Sequence, residues 1–294
     1  MAKNLLFIIN PRAGRGQARS TMLDALTRFS EEGYLISVRQ TSAQGDAERF
    51  TAELGEDFDR IVCCGGDGTL NEVLSGLISL AAPPPVGYIP CGSTNDFAAS
   101  LHLSDQPREA AERICKSEGK RLDVGLFNHR TFAYVASFGA FTRSSYSAPQ
   151  NLKNDLGHLA YLLQGVKDIS TLRPYRARIE ADGEVFDGEF LFGAVTNATS
   201  LGGLVKLQES YVEFDDGRFE LFLIPTPKTA SELQSLLRSL VTQEYTGKGL
   251  IFRHVSSLNI HTPERFPWSL DGEFDAGGEG VAIRNLNKRL TFLI

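Results

Sequence analysis

An aspartate set among glycines, Gly65-Gly66-Asp67-Gly68-Thr69, is the stretch of this 294-residue chain whose residue types and spacing best suit phosphate chemistry. Glycines lack Cβ and let an anion approach the backbone, and the N–H groups at a helix start carry the positive end of a dipole. A carboxylate facing phosphates is repelled unless a divalent cation lies between them, so Asp67 is the expected metal-side residue. The plain alternative is a tight turn, because Asp-Gly is a common turn dipeptide. What positions the stretch is legible on both sides. Ile61-Val62-Cys63-Cys64 is a continuous apolar run that reads as a buried parallel strand, and Leu70, Val73, Leu74 and Leu77 recur at i, i+3, i+4, i+7 as one face of a helix.

The same strand, loop and helix pattern occurs upstream. Leu5 to Ile9 reads as a strand, Asn10-Pro11-Arg12-Ala13-Gly14-Arg15-Gly16 as a turn, and Met22, Leu23, Leu26 and Phe29 as a helix face. Two such loops at the carboxyl ends of neighbouring parallel strands converge on one crevice, where open α/β sheets bind ligands. Leu35 to Thr41 reads as a strand that puts Thr41 at the same edge, with a helix over Asp46 to Leu54. After Pro83-Pro84-Pro85, Val86 to Pro90 is another strand, followed by Cys91-Gly92-Ser93-Thr94-Asn95-Asp96. Taken alone, Ser93, Thr94, Asn95 and Asp96 are all capping types and predict a well-capped helix.

From Arg121 to Gly125 onward the βα alternation stops. Strands are expected over Thr131–Ser137, Ala177–Ala181, Glu184–Asn197, Arg218–Ile224 and Leu250–Ile260, interrupted by helices near Leu159–Leu163 and over Ser231–Leu240, the latter opened by a Ser cap. A run of strands after a run of βα units predicts a second, mainly antiparallel domain. The expected division is 1–123 and 124–294, with the last strands free to pack back on the first domain. Arg143 to Gly157 reads as a mobile loop. Tyr211-Val212-Glu213-Phe214-Asp215-Asp216-Gly217-Arg218-Phe219 is an acidic turn that alone predicts a solvated hairpin.

The composition, 42% hydrophobic and 22% charged, is that of an ordinary globular protein. The longest tempting apolar stretch, Val73 to Ala82, is broken by Ser and Gly, so no membrane-spanning helix is expected. Met1 leads straight into a strand with no cleavage site, which argues against a secretory signal. The four cysteines have no CxxC spacing and predict reduced thiols and a cytoplasmic setting. A net charge of −6 argues against a nucleic-acid partner and leaves local basic patches for an anionic membrane surface.

The string Gly65 to Thr69 resembles the nucleotide-binding signature shared by lipid kinases, NAD kinases and phosphofructokinases. The spacing of Pro90, Gly92, Ser93, Asn95, Asp96, Phe97 and Ala98 resembles the second nucleotide-side signature of the diacylglycerol kinase catalytic family. With Asn10-Pro11 to Gly14 upstream and Gly65 to Glu72 between, three family blocks stand in order. The resemblance implies an N-terminal three-layer α/β nucleotide-binding domain, like that of phosphofructokinases and NAD kinases, and a C-terminal mainly antiparallel β-sandwich domain. It implies ATP contacts from Asn10, Pro11, Gly14, Thr41, Gly65, Gly66, Asp67, Gly68, Thr69, Leu70, Asn71, Glu72, Ser93, Thr94 and Asn95, with Asp67 and Asp96 in the catalytic centre. The Asp-Gly turn of the family holds a structural Mg2+, which transfers to the Asp216 carboxylate and the carbonyls of Glu213 and Arg218.

Pro267-Trp268-Ser269-Leu270-Asp271-Gly272-Glu273 resembles the family's Asp-Gly-Glu motif, whose glutamate is the base. A lipid hydroxyl has a pKa far above 7, so phosphoryl transfer needs a carboxylate within about 3 Å to take its proton. Glu273 is the expected base, with Asp271 in reserve, and catalysis is expected in a cleft between the domains. Three features depart from the family: Ala99 where Arg often stands, Ser93 for the commoner Thr, and the missing Pro and Ala after Gly202-Gly203, across Leu204 to Val212. The reading is an ATP-dependent lipid kinase that converts diacylglycerol to phosphatidic acid. The alternatives are a kinase for phosphatidylglycerol or a sphingoid base, an NAD kinase, and a catalytically silent lipid-binding homologue. The expected partners are ATP, Mg2+ and a lipid at the membrane surface, with a homodimer left open. The expected location is the cytoplasm, peripheral at the inner membrane surface, with Arg143, Tyr146, Lys153 and Lys167 as docking candidates.

Overall fold

The computed structural model describes residues 3–139, 173–201, 205–245 and 249–294. The backbone divides into two compact units. The first comprises Met1–Val124, Arg130–Ala133 and Asn287–Ile294, and the second Gly125–His129 and Tyr134–Leu286.

In the first unit, β1 (Lys3–Ile9), β2 (Tyr34–Gln40), β3 (Arg60–Gly65) and β4 (Val86–Pro90) form a parallel sheet in the order β4-β3-β1-β2. Both faces are covered, which explains the continuous apolar runs. Alternate residues Leu5, Phe7, Ile9, Val62 and Cys64 pack with Phe29 of α1 (Gln17–Glu31). Ile114, in the later helix at residues 107–116, joins the same core. The other set, Leu6, Ile8, Ile61 and Cys63, is fully buried on the opposite face. The helices α2 (Asp46–Leu54), α3 (Asp67–Ser79), α4 (Asp96–Ser100) and α5 (Pro107–Lys116) complete the βα alternation, with β5 (Lys120–Phe127) and β6 (Arg130–Phe132) after it.

The strands of the second unit are β7 (Val135–Gly139), β8 (Tyr175–Ala181), β9 (Glu184–Thr196), β10 (Ser200–Leu201), β11 (Val205–Lys206), β12 (Phe219–Pro225), β13 (Ile251–Val255), β14 (Ser257–His261), β15 (Trp268–Leu270), β16 (Glu273–Asp275) and the first half of β17 (Gly280–Leu293). The pairs β7–β9, β8–β9, β9–β12, β12–β13, β8–β14, β7–β15, β15–β16 and β14–β17 are all antiparallel. The sheet branches at β9. Its residues 184–190 pair with β8, and residues 192–196 run between β7 and β12, with a register shift at Ile224/Pro225 where the strand changes partners. The far end of β17 belongs to the first unit, where Phe292 and Leu293 pair in parallel with Val86 and Gly87 of β4, and Phe292 packs on Phe97 at 5.4 Å.

The expected architecture of an α/β nucleotide fold followed by a mainly antiparallel one is present. Local details differ from expectation. The strand expected over Thr131–Ser137 is two strands, β6 and β7, and that over Leu250–Ile260 is β13 and β14, parted at Ser256. There Asp182 accepts the N–H groups of Ser256 and Ser257 at 2.6 and 3.0 Å, which turns the chain. The helix α6 (Ala230–Thr242) is capped by Thr229, not Ser231: Thr229 is extended, and its Oγ1 accepts the Glu232 N–H at 3.2 Å. Leu159–Leu163, Gly202-Gly203, the stretch Arg143–Gly157 and Lys167 lie outside the described residues. Among the described residues no helix is long and apolar enough to cross a membrane.

Candidate active site

The loops after β1, β3 and β4 meet at the carboxyl edge of the parallel sheet. Asn10 follows β1, donates its backbone N–H to the Cys64 carbonyl at 2.9 Å, and reaches Thr69 Oγ1 with its side-chain amide at 3.1 Å. The loops after β3 and β4 touch backbone to backbone. A Cβ at Gly92 would lie 2.6 Å from Gly66 Cα and 2.7 Å from Asn95 Oδ1, so only glycine permits this approach. Asp67 opens α3, and its Oδ2 accepts the Asp96 N–H at 3.1 Å, which ties the first turn of α3 to the start of α4. Asp96 is buried, whereas Ser93 and Thr94 are exposed between the two tied ends. Thr41 is buried at the end of β2 and donates its N–H to the Ile9 carbonyl at 2.9 Å. The loop after it is stiffened by Asp46, whose carboxyl the N–H groups of Ser42 and Ala43 hold well below the usual carboxylate range.

Several sequence-derived residues do other work. Asn95 does not cap α4: it adopts the left-handed region (φ 53°), and its side chain clasps Gly92, accepting its N–H at 2.8 Å and donating to its carbonyl at 3.0 Å. The well-capped-helix reading of this stretch therefore fails, because the amide shapes the loop instead. Leu70 is in the core, and Asn71 donates to the Thr131 carbonyl at 2.9 Å. The Glu72 carboxylate accepts the N–H groups of Gly45 and Ala47 at 2.9 and 3.1 Å, so it serves the start of α2. Of the block Gly65–Glu72, the first half borders the loop junction and the second half is turned to packing.

In the second unit, Glu273 is the first residue of β16 and stands opposite Leu270 across the hairpin. The turn between them places Asp271 at φ 48° and Gly272 at φ 90°. Asp271 is 3% exposed, and its Oδ1 accepts the N–H groups of Tyr134 and Val135, each at 3.0 Å, while its own N–H donates to the Val135 carbonyl at 2.8 Å. The reserve role of Asp271 as base is thus corrected: its carboxylate anchors the hairpin to the start of β7. Asp271→Ala would leave two buried donors unpaired and is expected to destabilise the fold by about 3 kcal/mol, read from urea unfolding; an unchanged midpoint would overturn that role.

The acidic turn precedes β12. Asp216 Oδ1 accepts the Arg218 N–H at 2.8 Å, and Gly217 takes φ 83°. The Arg218 carbonyl accepts from Asn285 Nδ2 at 3.2 Å. Two residues on, Glu220 is buried, and burial pushes its carboxyl up to about 9; its own backbone N–H pulls it partly back, and the Asp216 charge pushes it further.

Residues 4–127 match the family described as the diacylglycerol kinase catalytic domain. Over 277 residues the chain is 34% identical to the diacylglycerol kinase of Bacillus subtilis (strain 168), covering 92% of this chain and 90% of that protein. The chain belongs to the diacylglycerol kinase catalytic family. It is accordingly a kinase that transfers phosphate to a lipid alcohol. The diacylglycerol kinase of Staphylococcus aureus (strain MRSA252) is 32% identical, with 93% of this chain and 87% of that one covered. Among solved structures, a putative diacylglycerol kinase from Bacillus anthracis str. Sterne superposes with a TM-score of 0.82 at 26% identity, covering 99% of this chain and 95% of that one. For this family member, sequence reasoning missed Asn95 as a loop clasp, Asp46 and Glu72 as supports of α2, and Glu220. The last had a signal: an acid inside the apolar run Phe219-Glu220-Leu221-Phe222.

Proposed function

We propose that this chain transfers the γ-phosphoryl group of ATP to the free hydroxyl of diacylglycerol, giving phosphatidic acid. The observation that carries the proposal is the junction of the three loops in the first unit: Asn10 on Thr69, Gly66 against Gly92, and Asp67 on Asp96. Backbone N–H groups at the start of α3 and the hydroxyls of Ser93 and Thr94 suit phosphate oxygens. The carboxylates of Asp67 and Asp96 are a hard donor set beside them, fitting Mg2+, which would neutralise charge on the phosphates when bound. In the second unit, Glu273 takes the proton of the lipid hydroxyl as the new O–P bond forms. The 211–219 turn would hold a second, structural Mg2+ through the Asp216 carboxylate and the carbonyls of Glu213 and Arg218. On this reading residues 1–123 serve the nucleotide and 124–294 the lipid.

Radiolabelled ATP offered with diacylglycerol, phosphatidylglycerol, a sphingoid base and NAD, with products separated by mobility, tests the assignment. Label in phosphatidic acid alone is the expected result, and label only in another product would reassign the substrate.

A substrate with two acyl chains resides in the bilayer, so the enzyme would work at the interface. Vesicle binding is expected to increase several-fold with the anionic lipid fraction and to fall with salt, because charge pairs are screened beyond about 8 Å at physiological ionic strength. Flotation at low and high salt measures this; equal binding to neutral and anionic vesicles would reject electrostatic docking and leave the kinase assignment intact.

A further inference from the structure

The sulfurs of Cys64 and Cys91 lie 3.3 Å apart in the core of the first unit, among Ile89, Phe29 and Ile114. Both are thiols. Cys64 belongs to β3 and is fully buried, whereas Cys91 is the first residue after β4 and keeps 6% of its surface in solvent. Cys63 is the next residue along the strand and faces the other side of the sheet. Register pairs Cys64 with Ile89 and Gly65 with Pro90, so Cys91 stands two residues beyond the position opposite Cys64. A bond between the sulfurs is therefore diagonal. Disulfide sulfurs are about 2.05 Å apart, so closing the 3.3 Å gap takes about 1.2 Å of movement. The next residue has no slack to absorb it. Gly92 already meets Gly66 so closely that a Cβ would sit 2.6 Å from Gly66 Cα, and the Asn95 amide clasps both its N–H and its carbonyl.

We propose that Cys64 and Cys91 are a redox switch: oxidation by peroxide bridges the two sulfurs and dislocates the junction of the loops after β3 and β4. That the switch acts on ATP rests on the function proposed above, in which this junction holds the phosphates. Cys91, which meets solvent, attacks one oxygen of hydrogen peroxide. The O–O bond breaks, the sulfur becomes a sulfenic acid, and the departing hydroxide takes the thiol proton and leaves as water. The Cys64 sulfur then attacks the Cys91 sulfur: the S–S bond forms, the S–O bond breaks, and the hydroxide takes the Cys64 proton as a second water. Two thiols lose two electrons in all, and one peroxide becomes two waters. A dithiol reverses the bond by exchange. The contact with Cys91 and burial push the Cys64 thiol up, which leaves the first attack to Cys91.

The test uses the full chain, reduced, then treated with hydrogen peroxide under native conditions and freed of it before measurement. Chymotryptic peptide mapping reads the link, and Mg2+-ATP affinity reads its effect. The expected result is a Cys64–Cys91 link with ATP affinity lowered at least tenfold, returning to within twofold of the reduced protein after dithiothreitol. Cys64→Ala, treated in the same way, is expected to keep its ATP affinity within twofold. Should Cys64→Ala not fold, Cys91→Ala is read the same way. Absence of the link while Cys115 is oxidised in the same sample overturns the proposal, as does a link that leaves ATP affinity unchanged. An equal loss of affinity in the unsubstituted protein and the alanine variant places the damage elsewhere and also overturns it. If the reduced protein binds no ATP, the nucleotide reading of the junction fails and the switch with it.

Discussion

Replacing Glu273 by glutamine is expected to slow phosphoryl transfer to lipid by about a hundredfold or more while ATP binding stays unchanged. The amide keeps the shape of the carboxylate and removes the proton acceptor. The hairpin that carries it is fixed independently, since Asp271 is anchored to the Tyr134 and Val135 N–H groups at 3.0 Å each. The substitution therefore changes chemistry at a position the fold holds in place. Single-turnover rates, with ATP affinity measured separately, separate the two effects. Retained turnover would remove Glu273 from the role of base, and Asp271 would not inherit it, because its carboxylate already accepts two backbone donors.

Asp67→Asn is expected to lower Mg2+-dependent kcat/KM for ATP by about a hundredfold or more, with little change in melting temperature. The physical distinction lies in what an amide retains. Asp67 Oδ2 accepts the Asp96 N–H at 3.1 Å, and the amide oxygen of asparagine can accept the same bond, so the tie between α3 and α4 survives. The negative charge that a cation requires does not survive. Steady-state kinetics across a Mg2+ titration, alongside melting curves, test this; a loss confined to melting temperature would make Asp67 a turn residue only.

The sheet of the first unit was legible because buried parallel strands write continuous apolar runs and their loops write glycine: β4 and α2 fall on the residues expected from pattern alone. What was not legible depends on partners far along the chain. Glu72 serves N–H groups 25 and 27 residues away, and Asp271 serves residues 136 and 137 positions earlier. A motif identifies such residues by type and says nothing of whether the carboxylate faces a ligand or a backbone. Asn95 is the sharpest case. By composition its stretch is a capping sequence, yet the left-handed backbone at Asn95 turns the amide onto Gly92, so a local propensity was overridden by a local clasp. The strand breaks at Ala133–Tyr134 and Ser256 were missed because the apolar pattern continues through them, and the turning force comes from side chains elsewhere, as at Asp182.

The pairing of Phe292 and Leu293 with β4 has a consequence for synthesis on the ribosome. Strand β4 emerges about two hundred residues before its neighbour on that side, and at 5–20 residues per second the gap is roughly 10–40 s. Through that interval the nascent first unit carries an unpaired strand edge, and Phe97 waits for the ring of Phe292 that covers it. A fragment ending at Val124 would carry the same open edge permanently and would be prone to self-association, which makes it a poor vehicle for studying nucleotide binding in isolation.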